Sequence, residues 1–439
     1  MTTATRSRIR ARIASRSLAT IAVALLAGVA VRLALLPAPG YDVEAYQTWA
    51  RGVYEFGLTS AYRLDLDPWY NYPPGYLYAL WITARLFVVL ASQPDWSGPL
   101  LAALLKLPPI LADVLTAGAI YLFLRGRVSR RCSLIASLAY LLNPAVIWNT
   151  AYWGGIDALH TLFLLLAVMA AATNRSQFSW PLVCGSVLIK PLGAPAALVV
   201  GAIALLRFDA RRLLIGTLAS LTVLLAAGLP FMWDGKLGEM LTALSNNVGN
   251  YPALSANAHN VWWLIAGGDV WRNDGTLALG PLSYRALGLV LFGLASLGVL
   301  SCLRRSSDVG TIFAAASVLQ LNLFVWPTEV HENWSYAAFA LLCVAAALRP
   351  SLRPFYLFLT LTFLTNLALQ DLHLEPFWDS LNQAGQIDAL RWANSLTYVV
   401  LAAVLVGAIW GGRRKGGARR GFALAMRRGT DCPRKRRNG

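Results

Sequence analysis

Long apolar runs and short polar segments alternate along most of the 439-residue chain. Most runs hold about 16 to 22 residues, close to the ~20 that a helix needs to cross a ~30 Å hydrocarbon layer. A helix satisfies its own backbone hydrogen bonds in lipid, whereas a β-barrel would show short segments of alternating hydrophobicity. The pattern therefore predicts an all-α integral membrane protein. The runs lie at 17–36, 76–92, 102–124, 132–149, 158–173, 178–206, 213–232, 284–303, 309–326, 334–348, 355–370 and 393–411.

The run 178–206 is the longest and is interrupted by Lys190 and two prolines. Proline ends or kinks a helix, so we expect two short crossings there and thirteen apolar segments in all. An odd number of crossings would put the two basic termini on opposite sides of the membrane. The run 76–92 carries Arg85 at its middle and aromatic residues at one end, and we predict that it lies at the membrane surface or re-enters. About twelve transmembrane helices remain.

The distribution of charge predicts the orientation of these helices in the membrane. Of the formal net charge of +17, most is carried by residues 1–16, with five Arg, and by the tail 412–439, with eleven Lys or Arg and one acid. The positive-inside rule places such flanks in the cytoplasm, where the tail would contact anionic membrane lipids. A nucleic-acid partner is not expected, because the charge flanks membrane helices. The rule also places four inner clusters inside: Arg125–Arg131, Arg207–Arg212, Arg304–Arg305 and Arg349–Arg353.

Polar loops then collect on the external face, where no nucleotide sugar is available. The predicted organisation is a basic cytoplasmic N-terminus at 1–16, a seven-helix membrane module at 17–283 with external loops 37–75 and 233–283, a second membrane module at 284–411 and a basic cytoplasmic tail at 412–439.

Three features of the sequence indicate the cellular compartment of the protein. The N-terminal apolar run has no A-x-A cleavage site before Pro37, which predicts a retained signal-anchor helix. The five cysteines form no spaced cluster, so neither a disulfide nor a metal site is expected. Arginine outnumbers lysine 33 to 5, a usage typical of GC-rich bacterial genomes, which favours a bacterial plasma membrane.

The first external loop opens with "GYDVEAYQTW", Gly40–Trp49, and places two carboxylates among aromatic residues. Asp42 can be interpreted as an ordinary helix cap. The aromatic residues can be interpreted as a belt at the membrane interface. The combination is also typical of sites that hold sugars. The aromatic residues are Tyr41, Tyr46, Trp49, Trp69, Tyr70 and Tyr72.

Five stretches in order then resemble one family. Asp42-x-Glu44 with Tyr72-Pro73-Pro74 resembles the first loop of the GT-C superfamily of polytopic glycosyltransferases, and the likeness extends over roughly residues 30–345. Asn333 stands where many relatives carry Arg, and Gly155 where Gln is frequent. The other four stretches are "NPAVIWNTAYWGGID" (143–157), "LIKPLGAP" (188–195), "SANAHNVWWL" (255–264) and "HENWSYAAFALL" (331–342).

The resemblance implies a GT-C-like seven-helix module and transfer of a single sugar from a polyprenyl-phosphate donor on the external face. Relatives of similar appearance transfer mannose, to a lipid-linked or glycan acceptor. Single-sugar relatives mostly need no metal, so no cofactor is expected. A divalent metal on Asp42 and Glu44 remains an alternative.

The residue types define the chemistry such a transfer needs. Asp42 is the candidate general base, since a carboxylate can take the acceptor proton as the C1–oxygen bond breaks, and one base without a nucleophile predicts inversion. Lys190 is the leading cation for the departing phosphate, with Arg63 and His331 next. The alternative interpretation of Lys190 is a lysine that snorkels to the membrane surface, and that of Arg63 is a solvated arginine.

Other candidates are assigned to substrate binding. Two residues apart on a helix, Asp42 and Glu44 point about 200° apart, so Glu44 is expected to hold sugar or acceptor hydroxyls rather than to form a dyad. Asp113 lies inside an apolar run and is expected to have a structural partner. The remaining candidates are Tyr72, Glu332, Trp153 and Asp157 (a cap being the alternative for Asp157), and Asn257 and His259 at the acceptor entrance.

Two other function classes share some of these features. A secondary transporter or flippase would also have broken helices and membrane charges, but it would show paired halves, which this sequence lacks. A glycan polymerase or ligase would more often show arginine-rich external loops. A protein O-glycosyltransferase of the same superfamily remains open as well.

Overall fold

The computed structural model describes residues 23–411 except Asp65, Asp67, Val248 and Ala384, so the predictions for 1–16 and 412–439 lie outside it. Helices dominate. They are α1 (Val23–Ala34), α2 (Val43–Phe56), α3 (Pro74–Leu90), α4 (Pro99–Leu124), α5 (Arg130–Leu141), α6 (Pro144–Ile147), α7 (Asp157–Ala172), α8 (Ser176–Ile189), α9 (Ala194–Leu206), α10 (Ala210–Trp233), α11 (Leu237–Ser245), α12 (Val261–Ala266), α13 (Tyr284–Arg305), α14 (Val309–Val325), α15 (Ala338–Leu348), α16 (Arg353–Gln370), α17 (Glu375–Gln383) and α18 (Gln386–Gly411).

Shorter elements connect these helices. Within the described residues, β1 (Leu277–Leu279) and β2 (Leu282–Ser283) form one antiparallel hairpin, and a π-helical turn covers Trp148–Tyr152. The 3₁₀ turns are Leu58–Arg63, Pro191–Gly193, Pro350–Leu352 and Leu372–Leu374.

Several helices are suited to a bilayer, as the sequence predicts. By length and composition, five are long and apolar enough to cross, or six if the pair Arg130–Leu141 and Pro144–Tyr152, bent by 41°, forms one span. The other apolar helices have 10–17 residues. The protein is thus a multi-helix membrane protein, while twelve crossings and a seven-helix module remain predictions.

The basic clusters gather at one end of the bundle. Arg207 donates to the carbonyl of Ser307 at 2.6 Å, and Arg212 donates to that of Asn174. Arg349 pairs with Asp308 at 2.8 Å. We call the region of Arg125–Arg131, Arg207–Arg212, Arg304–Arg305 and Arg349–Arg353 the arginine end.

The polar loops gather at the opposite end. Thr59 Oγ1 donates to Asp234 at 2.6 Å, and the Asn247 amide donates to the Asn71 carbonyl at 2.6 Å. The backbone N–H of Ala256 donates to the carbonyl of Val330 at 3.0 Å. We call the region of residues 37–73, 153–157, 234–283 and 326–337 the loop end.

The run 178–206 folds as a hairpin between the two ends. Helix α8 leaves the arginine end and stops at Ile189, and α9 returns to Arg207. Lys190 between them is extended, with φ −151° and ψ 130°. Since 14 residues of helix span only about 21 Å, each arm is short for a ~30 Å hydrocarbon layer.

Helices α2 and α3 form a unit at the loop end. They share a hydrophobic cluster with Leu101, Leu104 and Leu105, which belong to the first half of α4. At its start, α3 packs closely on α8, where a Cβ on Gly75 would lie 2.6 Å from the Leu188 carbonyl. That the run 76–92 lies at the membrane surface or re-enters remains a prediction.

The main core surrounds α14 and α15, whose residues are buried on nearly all sides. Helix α10 lies at the periphery and exposes a leucine stripe. In a membrane that stripe faces lipid, because apolar side chains need no partner there. The stripe is Leu214, Leu218, Leu221, Leu225 and Leu229.

Asp113 has the partner that its sequence environment requires. Arg32 on α1 lies 3.3 Å from its carboxylate, and both side chains are fully buried. The hydroxyls of Tyr140, Tyr336 and Thr150 donate to the same carboxylate at 3.0, 2.5 and 2.8 Å. The network ties α1, α4, α5 and the 326–337 segment together.

Asp113→Asn is therefore expected to destabilise the protein by about 3–5 kcal/mol, because Arg32 would keep a buried charge without a counter-charge. Thermal unfolding in detergent micelles measures the effect as a lower Tm. Asp388→Asn is the control, since that carboxylate is 71% exposed beside Arg391 and surface pairs contribute about 0–1 kcal/mol. Equal Tm values for the two variants would contradict the structural role.

Candidate active site

Backbone contacts at the loop end bring Asp42 next to the start of α7. The Asp42 N–H donates to the carbonyl of Trp153 at 3.2 Å, and the Tyr41 ring stacks on the Trp153 indole with centroids 4.6 Å apart. Gly40 and Gly154 flank this contact with φ of 69° and 86°. At both positions a Cβ would lie within 2.7 Å of the Val43 side chain, so the close approach requires glycine.

Asp42 occupies the N-cap position of α2, but its carboxylate makes no capping hydrogen bond. It accepts instead from the Tyr46 hydroxyl at 3.3 Å. The ordinary interpretation of Asp42 as a helix cap therefore does not account for its side chain. Asp42 is half-buried. We call the surroundings that it shares with Lys190, Asp157, His331 and Glu332 the candidate pocket, because the charges of these groups influence one another's pKa values.

Asp157 and Lys190 form a buried ion pair beside it. The Lys190 Nζ lies 2.7 Å from Asp157 Oδ1, and the lysine side chain is only 6% exposed. Asn149 donates to the other carboxylate oxygen at 3.3 Å, and His160 Nε2 lies 3.7 Å from Oδ1. Lys190 also lies 5.7 Å from the centre of the Tyr72 ring. A snorkelling lysine would reach solvent, so this burial favours a site role.

The packing around position 155 explains why a glycine is found there. A Cβ there would lie 2.9 Å from the Asn149 amide nitrogen and 3.1 Å from Asp157 Oδ2. Any side chain would push apart the two groups that hold Asp157 in place. The chain therefore uses glycine where many relatives of the resembled superfamily carry glutamine.

Two later segments complete the pocket. His331 forms bridges with Ala256 and Asn257 and packs edge-on against Tyr251, with ring centroids 5.0 Å apart. Glu332, next in sequence, is 3% exposed. Within the described part of the chain, its Oε2 atom has no hydrogen-bond partner, an arrangement that carries a cost unless a ligand or a proton satisfies it.

The environment changes the protonation of these groups. Burial raises the pKa of Asp42 to about 6, although the charge of Lys190 opposes the rise. Burial, with the charge of Asp42, raises the pKa of Glu332 to about 8. Burial and the nearby Lys190 lower the pKa of His331 to about 4. At neutral pH Asp42 is therefore mostly ionised, Glu332 is protonated and His331 is uncharged, so His331 offers no positive charge to a phosphate.

The structure does not bring every predicted residue to this pocket. Glu44 is exposed on another face of α2. Arg63 pairs with Glu239 at 3.1 Å and lines a separate groove of about 660 Å³ with Tyr62 and Trp69. Their predicted binding roles are therefore not supported by proximity to Asp42.

Asn257 and His259 have other partners. Asn257 has a φ of 71°, and its carbonyl accepts from the Asn366 amide at 2.9 Å. The His259 ring lies 2.9 Å from the Asn394 amide and 3.2 Å from that of Gln370. The His259 ring is thus fixed by two amide side chains, and a role at the acceptor entrance remains a prediction.

The sequence analysis gave no individual role to three residues of the site. The contact of Tyr46 with Asp42 could have been predicted, because i, i+4 spacing places the tyrosine over Asp42 on a helix. Asn149 lies inside a quoted motif, but its role depends on the π-helical turn. Tyr251 carried no signal, since only the bridge from His331 to Ala256 brings it near.

No group of three His, Cys, Asp or Glu side chains suited to a metal occurs among residues 23–411 as described. Asp42 and Glu44 point away from each other, which does not favour a shared cation. Metal-independent transfer remains a prediction. The four cysteines within the described range are free.

No family model matches the chain, and a search of curated proteins finds no match either. Among solved structures, it is similar to the oligosaccharyltransferase of Archaeoglobus fulgidus in the apo form, with 14% identity and a TM-score of 0.43 over 89% of this chain and 56% of that chain. It is also similar to the archaeal oligosaccharyltransferase AglB of Archaeoglobus fulgidus in complex with an inhibitory peptide and a dolichol-phosphate, with 13% identity and a TM-score of 0.36 over 88% and 55%. The chain thus spans little more than half the length of these structures, and at such scores the likeness carries no argument about its activity.

Proposed function

We propose that this protein is an integral membrane glycosyltransferase of the GT-C superfamily that moves a single sugar from polyprenyl phosphate to a lipid-linked or glycan acceptor. Mannose is the first candidate for the sugar. The observation that carries the proposal is the proximity of a half-buried carboxylate, Asp42, to a buried cation, Lys190, which Asp157 holds in place and whose charge acts on the pKa of Asp42. The quoted sequence motifs support the same reaction.

In the proposed reaction, the acceptor hydroxyl attacks C1 of the sugar from the face opposite the phosphate. Its proton passes to an oxygen of Asp42 as the new C1–O bond forms. The bond between C1 and the phosphate oxygen breaks, and its electron pair leaves with the phosphate. A base with a pKa nearer to neutrality than an ordinary aspartate is better matched to this task, and direct displacement inverts the configuration at C1.

Lys190 would stabilise the negative charge that grows on the departing phosphate. Its ammonium is preorganised by the 2.7 Å contact with Asp157, so little reorganisation is needed during the reaction. Glu332, protonated at neutral pH, adds no negative charge and could donate a hydrogen bond to the phosphate or the sugar. On this proposal, Asp42 is the base and Lys190 is the stabilising cation of one reaction.

The proposed site faces the outside of the plasma membrane. The positive-inside rule assigns the arginine end to the cytoplasm, which leaves the loop end outside. A donor carried on a lipid suits this side, since its tail stays in the bilayer while its phosphate reaches Lys190.

A donor comparison tests the function. Proteoliposomes with the purified chain and a cell-envelope extract as acceptor source would receive radiolabelled mannose linked either to polyprenyl phosphate or to GDP. We expect label in glycolipid or glycan fractions from the lipid donor alone, with the C1 configuration inverted by NMR. Transfer from the nucleotide sugar, or retention at C1, would contradict the proposal, and movement of intact donor across the bilayer without transfer would favour a flippase.

The pH profile of transfer provides a further prediction. Asp42 must be ionised to accept a proton, so kcat/KM is expected to fall as the pH falls through about 6. Burial and the charge of Asp157 raise the pKa of Asp42 to this value, although the charge of Lys190 and the Tyr46 hydrogen bond oppose the rise. Above about pH 8, ionised Glu332 would repel the phosphate and lower the rate. Glu332→Gln should flatten the alkaline limb relative to the variant's own rate at pH 7. An unchanged alkaline limb would remove Glu332 from this account.

A further inference from the structure

A groove at the arginine end has no role in the proposed reaction. It has a volume of about 370 Å³ and lies between α5 and α16, over α15. Its floor and walls are mostly small and apolar, including Ala136, Ala139, Ala346 and Ala347. Ile135 on its rim is 56% exposed, so the groove opens on the outer surface of the bundle, where lipid lies.

Hydrogen bonds define the depth of this groove. Cys343 Sγ lies 3.1 Å from the Ala136 carbonyl and joins α15 to α5 beneath it. The Tyr356 hydroxyl donates to the Ala139 carbonyl at 3.2 Å and closes the end that points to the membrane interior. The groove is therefore an apolar recess that starts at the arginine end and stops within the bundle.

Two guanidinium groups stand at its mouth. Arg131 and Arg353 line the groove in the first turns of α5 and α16, so the positive ends of two helix dipoles point the same way. In contrast to Arg349, which pairs with Asp308, neither forms an ion pair with any residue that the structure describes. Among the described residues that line the groove, none is Asp or Glu.

The chemistry of the recess indicates its ligand. The arginine fork matches a phosphate group in a bidentate geometry, and a narrow apolar recess matches an acyl chain. The volume is within the usual range of small-molecule sites, about 300–1,000 Å³. The occupant must enter from the bilayer, since the rim faces lipid, and must carry its phosphate at the membrane surface.

We propose that this groove binds one anionic glycerophospholipid from the leaflet at the arginine end, with its phosphate between Arg131 and Arg353 and an acyl chain along the alanine-lined recess. The site lies at the opposite end of the bundle from Asp42. The groove is therefore distinct from the pocket assigned to the donor. A test of lipid binding in the groove does not depend on the proposed function.

Cys132 lines the groove and reports on its occupancy. The full chain would be reconstituted in phosphatidylcholine vesicles with or without 30 mol% phosphatidylglycerol and treated with N-ethylmaleimide. Peptide mass spectrometry would follow the labelling rate of Cys132. We expect phosphatidylglycerol to slow this rate at least fivefold, and native mass spectrometry to show one retained phosphatidylglycerol per chain.

Two variants test the site by independent routes. Arg131→Gln/Arg353→Gln removes the charge at the mouth, and Ala139→Phe fills the recess without changing charge. In both, the rates with and without phosphatidylglycerol should agree within twofold, and the retained lipid should be lost. Arg125→Gln/Arg130→Gln is the matched control, because it removes the same charge nearby without lining the groove, and it should keep the fivefold effect.

Each other result would overturn the proposal. Equal labelling of the wild type in both lipids would mean that no anionic lipid occupies the groove. The same slowing in Arg131→Gln/Arg353→Gln as in the wild type would indicate a general surface effect of charge. Stronger protection by 1 mol% undecaprenyl phosphate than by 30 mol% phosphatidylglycerol would assign the groove to the carrier lipid instead.

Discussion

Replacement of Asp42 by asparagine is expected to lower kcat for sugar transfer by about 10²–10⁴-fold, the usual contribution of a general base. The amide keeps the size of the side chain and can still contact the Tyr46 hydroxyl, but it cannot take the acceptor proton. The substrate phosphate should still bind at Lys190, so KM for the donor should change little. Initial rates with polyprenyl-phosphate mannose, at several donor concentrations, measure both quantities.

Glu55→Gln is the matched control for this variant. Glu55 lies on the same helix as Asp42, is exposed and pairs with Arg51 at 2.8 Å, so loss of its charge should leave transfer unchanged. Size-exclusion chromatography would show that both proteins are folded. Equal kcat for Asp42→Asn and the wild type would show that Asp42 is not the base.

Lys190→Met is expected to reduce both transfer and stability. Transfer should fall by about 10²–10³-fold, the effect of losing one preorganised stabilising group. Stability should fall by about 3–5 kcal/mol, because Asp157 would keep a buried charge without its partner. A lower Tm in detergent micelles would accompany the lower rate.

A double variant separates these two effects. Asp157→Asn/Lys190→Met removes both charges, so it should recover most of the lost Tm while transfer stays low. Lys236→Met is the control, since Lys236 lies at the same end and donates to the Ser60 hydroxyl at 2.9 Å, outside the pocket. If the double variant recovered transfer along with stability, Lys190 would be a structural residue only.

The sequence predicts part of the site because some of its signals are local. Lys190 stands at a break between two helices, directly before Pro191, and polar residues at such breaks usually line cavities. Asp157 follows a Trp-Gly-Gly turn, and Asp42 follows the first apolar run. The contact of the Asp42 backbone with Trp153 could not be derived. It depends on Gly40 and Gly154, whose positive φ lets two segments more than a hundred residues apart touch.

Arg63 is a candidate that the sequence suggests but that the structure does not bring to Asp42. Its type and its place in an aromatic loop are those of a phosphate ligand, but its orientation is set by a tertiary contact with Glu239, 176 positions later. Likewise, His331 forms bridges with Ala256 and Asn257, in segments where Asn257 and Glu329 adopt left-handed backbone conformations. Hydrophobic periodicity does not encode such turns in non-glycine residues.

The fold is predicted more fully than the site, for a physical reason. Apolar runs identify membrane helices because the bilayer requires a fixed length of nonpolar chain. The prediction becomes less exact where helices are short, as in α8 and α9, whose 14 and 13 residues depend on neighbours for cover. Whether such helices cross alone is decided by packing, which residue types do not reveal.

The buried contact between Arg32 and Asp113 has a consequence for synthesis of the protein. An arginine costs at most about 2.5–3.5 kcal/mol on insertion scales, and less near the end of a membrane helix. Arg32 lies in the last turn of α1 and finds its counter-charge only 81 residues later. At about 5–20 residues per second, that partner follows after roughly 4–16 s. During this interval the first helix would have to stay beside the insertion machinery or a chaperone, so its release into lipid would be timed by the arrival of α4.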